Sequence, residues 1–177
     1  FERTRLGIVV DFGAVATVED CIFRENGSYD GAYVSPGPAI GGAGQLEVRG
    51  SLFEKNSAGR NSAGGAIAFG PGTVRISDCV FRSNSAVSGG ALVVGRGIDA
   101  EIVDSIFQEN SASSLGGAVL VDGAGLGGTC PGRFVLSRCG FYRNESGLWG
   151  GAIGIGDSDI DVIVDSSEFV ANYSGEA

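Results

Sequence analysis

Residues 53–69 read FEKNSAGRNSAGGAIAF and hold two short signatures, F-x-x-N and G-G-A, separated by small and polar residues. F-x-x-N returns as FREN at 23, FEKN at 53, FRSN at 81, FQEN at 107, FYRN at 141 and FVAN at 169, a period of about 28 residues. The opening FERT, with Phe1 and Thr4, reads as a degenerate further copy. The glycine signature returns at 64, 89, 116 and 150, with DGAYV at 30 as a weaker version. GGAG at 41 falls outside this spacing, so residues 35–44 are assigned to a loop, and 122–133 form a second insertion. Self-similarity at a fixed period marks a repeat architecture.

Aligned on their Phe, the units form columns. Seven and five residues before it stand Ala16/Val18, Leu46/Val48, Val74/Ile76, Ala100/Ile102, Phe134/Leu136 and Val162/Val164, all apolar. Between them lie mostly polar residues, among them Glu47, Arg75 and Glu101, so the alternation is that of a strand with one wet face. A second strand follows the glycines, with Tyr33/Ser35, Ile67/Phe69, Leu92/Val94, Val119/Val121 and Ile153/Ile155 suited to face inward. A third, short strand begins or ends at the Phe. No segment has helical period, which excludes crossover βαβ units. The expected fold is all-β, a parallel β-helix of the pectin-lyase-like type with about six coils, occupying residues 1–177 as one domain.

In such a coil successive rungs lie about 4.8 Å apart and like positions sit over one another. Phe23, Phe53, Phe81, Phe107, Phe141 and Phe169 are then expected to stack, and Asn26, Asn56, Asn84, Asn110, Asn144 and Asn172 to form an amide ladder at a buried turn. Cys21, Cys79 and Cys139 share one column with Ser51, Ser105 and Ser167 in the alternate rungs; two rungs of separation exceed disulfide reach, and these are read as small core residues. A bond between Cys130 and Cys139 requires Cys139 to point outward. Three N-x-S sequons fall on ladder residues, Asn26, Asn144 and Asn172, and glycosylation there requires those amides to be exposed.

Composition narrows the function. Net charge is −9 without a basic run, so neither nucleic acid nor an anionic membrane is an expected partner. No apolar run approaches a transmembrane span. Both ends fall at the same phase of the repeat, and the chain reads as a processed or excerpted piece of something longer.

F-x-x-N followed by G-G-A-[ILV] in one register resembles the repeats of the chlamydial polymorphic outer-membrane proteins and related autotransporter passengers, over essentially the whole chain. The resemblance implies a right-handed parallel β-helix displayed outside the cell or on its surface, serving adhesion or surface architecture. It carries over to the six Phe/Asn pairs and the glycine pairs at 64, 89, 116 and 150. No membrane barrel follows the repeats here, and the unit at 30 has lost its first glycine.

Many β-helices cleave acidic polysaccharides, so a carbohydrate-active enzyme is the alternative. The chain has no His, which excludes histidine triads and histidine metal sites, and no cofactor is expected. Asp157, Asp159 and Asp161 alternate and are the best candidates for a calcium ion, against the plainer reading of a solvated turn. Asp20, Asp78 and Asp104 share a column with Gly50 and read as corner residues. The strand after the glycines carries apolar residues at positions expected to face out: Ala66, Ala91 and Ala118 in one column, Ala68, Val93 and Leu120 in the next. This strip is expected to dock a neighbouring subunit or domain, against the plainer reading that small residues keep the face flat and leave little apolar area. The column Ile22, Leu52, Val80 and Ile106 repeats the theme on another face. The expected function is a non-enzymatic extracellular structural or adhesive module that self-associates, end to end or laterally, with a protein or glycan on a host surface as further ligand.

Overall fold

A computed structural model describes residues 7–27, 37–60, 62–95, 97–121, 132–156 and 160–175. Within them the chain coils into a parallel β-helix. Its three sheets hold ten, six and four strands, and every pairing between rungs is parallel. A rung runs from the glycine corner through a strand such as Leu92–Val94, bends into a second such as Ile98–Val103, turns into the three-residue Phe strand Ile106–Gln108, and returns through Ser111–Ala112. In Ile40–Arg49 and Ile67–Ser77 the first two strands merge into one. The Phe sits at the centre of its strand, not at an end, and the two-residue strand after the Asn was not anticipated.

The expected columns are in register. Val18, Val48, Ile76, Ile102 and Leu136 align and are buried, and the Phe rings stack with centroids 4.7–4.8 Å apart. Phe23 through Phe141 are fully buried, whereas Phe169 is 45% exposed because no described rung covers its outer side. Each Asn joins two rungs. Asn84 accepts the Asn56 backbone N–H and Nδ2 at its Oδ1, at 3.0 and 2.9 Å, donates through Nδ2 to Phe53 O, and donates to Asn110 Oδ1. The same pattern runs from Asn26 to Asn172.

Two left-handed residues frame each Phe strand. The column Asp20, Gly50, Asp78, Asp104, Arg138 and Ser166 has φ of 47–58°, as expected of corner residues. A second column, Glu25, Lys55, Ser83, Glu109, Arg143 and Ala171, has φ of 52–55° and lies directly before the Asn. Such φ costs about 1–2 kcal/mol in a non-glycine residue. It turns the backbone so that the amide enters the ladder. The glycine pair has a different reason. Gly89 takes φ of 61°, where a Cβ would lie 2.5 Å from Val93 Cγ2, and a Cβ on Gly90 would lie 2.1 Å from Gly117 O in the next rung.

Three expectations fail here. Residues 40–44 are strand, not loop: Ile40, Gly41 and Gly42 pair with Ile67, Ala68 and Phe69. Gly37-Pro38-Ala39-Ile40 therefore takes the glycine-corner position in this rung, with Ile40 and Gly42 opposite Ile67 and Phe69 in the column expected of Tyr33 and Ser35, which lie outside the described residues. The insertion 122–133 is shorter at its end, since Gly132–Ser137 is already a strand; residues 122–131 lie outside the described set.

Removing the Asn84 side chain strands a buried Asn56 N–H and takes one donor each from the Phe53 carbonyl and from Asn110 Oδ1, which keeps the backbone N–H of residue 84. With about 1–3 kcal/mol for the unpaired buried N–H and about 0.5–1.5 kcal/mol for each side-chain bond lost beside it, Asn84→Ala costs about 2 kcal/mol or more. Phe81→Ala costs about 3–5 kcal/mol by truncation in a packed core. Urea titration checks both, with Asn172→Ala and Phe169→Ala expected to cost clearly less because they close the described stack.

Candidate functional site

The solvent side of the long sheet carries three columns. Register places Thr17, Glu47, Arg75 and Glu101 in one of them, Gln45, Thr73, Asp99, Arg133 and Asp161 beside it, and Glu19, Arg49 and Ser77 on the other side. Arg75 pairs with Glu101 across neighbouring rungs. At the corner Arg138 grips Asp104 through two contacts, Nε to Oδ1 at 2.8 Å and Nη2 to Oδ2 at 2.7 Å. The hydrogen bond from Arg138 holds the Asp104 carboxyl below the ordinary carboxylate range. Arg49 approaches Asp78 to 3.8 Å.

The Phe sheet also points two columns outward. After the Phe come Arg24, Glu54, Arg82, Gln108 and Tyr142; before it come Ile22, Leu52, Val80, Ile106 and Gly140. Glu54 is buried between two arginines, 2.8 Å from Arg24 Nε and bonded to Arg82 Nη2. These contacts, Arg82 first, lower its pKa from 4.5 against the opposing effect of burial. Column reading applied to the position after the Phe finds this trio in the sequence. Further along, a side chain at Gly140 would collide with the Tyr142 ring, whose hydroxyl donates to Glu168 at 2.8 Å.

The candidate strip after the glycines is not a free surface. Ala66, Ala91 and Ala118 are fully buried and belong to the core. Each Ala carbonyl accepts two consecutive N–H groups of the preceding rung, as Ala91 O does from Ala66 and Ile67, and this bend turns two successive side chains inward. Leu120 is buried too, and Ala68 and Val93 are partly covered because the glycine corner folds back over them. Lysine at 91 therefore breaks the coil itself.

The cysteine column is internal. Cys79 and Cys139 are buried free thiols that donate to Ser77 O and Ser137 O, so Cys139 does not face outward as a bond to Cys130 requires; Cys130 lies outside the described residues. The alternation with Ser has a polar reason: the Cys21, Cys79 and Cys139 N–H groups donate to Ser51, Ser105 and Ser167 Oγ. Burial pushes the Cys79 thiol up to about 11. Asn26 and Asn144 are buried in the ladder, and Asn172 is partly buried with its amide committed to Phe141 O. Of the calcium candidates, Asp161 lies exposed opposite Arg133, and Asp157 and Asp159 lie outside the described residues. Among the described residues no three of His, Cys, Asp and Glu gather as a metal site.

The stabilisation Glu54 draws from its arginines is fully present above its unfolded pKa near 4.5 and is lost as pH falls through the lower folded value. Melting between pH 7 and 2.5 is expected to show a steeper acid decline for the wild type than for Glu54→Gln; parallel curves contradict the pairing.

With this geometry in hand, comparison with known proteins is direct. A family model described as the right-handed beta helix region matches residues 1–175. The metabotropic glutamate receptor-like protein R of Dictyostelium discoideum is 32% identical over 135 residues, which is 73% of this chain and 8% of that protein, so the chain spans less than a tenth of this relative. No solved structure matches. The stacked parallel rungs and the family match agree, and the chain belongs to the right-handed β-helix family.

Proposed function

We propose that the chain is a non-enzymatic structural and adhesive module, displayed outside the cell or on its surface, as its resemblance to polymorphic outer-membrane and autotransporter-passenger repeats implies. The observation that carries this reading is how the charges are arranged. Several outward acids are matched along the rungs, Glu101 with Arg75, Asp104 with Arg138 and Glu54 with Arg24 and Arg82, so they are spread along a rod. General acid–base chemistry needs groups that converge on one point with pKa values near the working pH. Here the neighbours of Glu54 and Asp104 push them away from neutrality. The Dictyostelium relative is receptor-like by name, which fits a rung stack that offers a binding face.

An extended, rigid exterior suits contact with a protein or glycan on an opposing surface. Immobilised chain is expected to retain its target surface saturably, and an antibody against it to label unpermeabilised cells of the source. Incubation with acidic polysaccharides is expected to release neither reducing nor unsaturated ends; steady product release overturns the reading in favour of a carbohydrate-active enzyme.

A further inference from the structure

The outer side of the Phe sheet carries a pattern with its own symmetry. Its rungs read Asp20-Cys21-Ile22-Phe23-Arg24, Gly50-Ser51-Leu52-Phe53-Glu54, Asp78-Cys79-Val80-Phe81-Arg82 and Asp104-Ser105-Ile106-Phe107-Gln108. Side chains alternate along a strand, so the aliphatic residue before each Phe points out while the ring points in. Ile22 and Ile106 are 51% and 41% exposed, and Leu52 and Val80 are partly exposed. Their registers align them at the 4.7–4.8 Å spacing of the Phe column. They form an aliphatic ridge along the coil axis. It ends at Gly140, where the Tyr142 ring takes the place of a side chain.

The ridge is flanked by charge of opposite sign. Aspartates lie two residues before it at 20, 78 and 104, and arginines two residues after it at 24 and 82, so a two-fold axis along the ridge exchanges the two columns. In a pair of coils related this way, Asp20 faces the Arg24 position of the other copy, Asp78 faces Arg82, Asp104 faces Gln108 and Gly50 faces Glu54; none of these pairs is like-charged. A two-fold across the ridge, with the coils antiparallel, instead sets the aspartate column against itself. Glu54 takes one contact from each arginine, and a guanidinium has five N–H donors, so both keep donors for a carboxylate opposite. Spacing favours a second copy as well. Its ridge has the same rung repeat, whereas an extended strand laid along it offers same-face residues about 6.8 Å apart.

We infer that this face is a homodimer interface, in which two coils lie side by side and parallel with their Ile22–Leu52–Val80–Ile106 ridges packed together and Asp78 of each meeting Arg82 of the other. The inference concerns a surface the proposed function does not use, and it stands whether or not the module is adhesive. Four rungs span only about 14 Å, well short of the ~800 Å² per partner of a standard interface, so the dimer is reversible and concentration-dependent.

Sedimentation equilibrium of the 177-residue chain, from about 10 µM to about 1 mM, tests it. The average mass is expected to climb from 17.9 kDa towards twice that value, and less so in high salt, which screens the flanking charges. Val80→Lys is expected to hold the chain at monomer mass, with its circular dichroism unchanged. Asp78→Lys tests orientation, and the Arg138 position in the same column shows that a cation fits there. In the parallel pair it sets Lys against Arg82 and weakens association about tenfold or more, roughly 1.4 kcal/mol. A monomer throughout the range, a Val80→Lys chain that dimerises like the wild type, or an Asp78→Lys chain that associates more tightly each overturns the inference.

Discussion

The architecture rests on one bond pattern, the transfer of a hydrogen bond from each asparagine to the one in the next rung. A backbone N–H and a side-chain amide of one rung converge on a single Oδ1 of the next, from Asn26 to Asn172. This is possible only if rungs repeat at the strand spacing and the chain turns sharply just before each Asn. The left-handed column from Glu25 to Ala171 supplies that turn at a conformational cost. The buried amides leave the chain little freedom to slip, because a shifted rung strands donors in the core.

Other features follow from the same repeat. Phenylalanine rings stack nearly parallel, with interplanar angles of 1–6°, although isolated rings prefer offset or edge-on contacts. The backbone spacing imposes that geometry, and burial of large apolar surface sustains it. Where a column is polar, stacking like on like requires either shared hydrogen bonds, as for Asn, or alternation, as for Cys with Ser. Outside, charge alternates where it stacks, Arg24 with Glu54 and Arg82, and Arg75 with Glu101. The outer faces are thus the only part of a rung free to vary with function.

Inward columns were legible in the sequence because stacking forces one residue type onto one position: six Phe, six Asn and the aliphatic pair before them. Legibility failed where the constraint lies in the backbone. The left-handed column before Asn holds Glu, Lys, Ser, Glu, Arg and Ala, with nothing in common but φ. Alternation misassigned Ala66, Ala91 and Ala118 because the bend at their carbonyls buries two successive residues. Ile40 was missed because Gly-Pro replaces Gly-Gly there, while DGAYV offered a more familiar match. The Glu54 trio is legible as alternating charge in the column directly after the Phe.

Side-chain amide hydrogen exchange, followed by nuclear magnetic resonance on asparagine Nδ2 groups, addresses the ladder itself. The account predicts that Asn56, Asn84, Asn110 and Asn144 exchange slowly, with protection close to that of the core backbone amides, and that the side-chain amide of the exposed Gln45 exchanges freely. Rapid exchange at the ladder positions in the folded protein would contradict it.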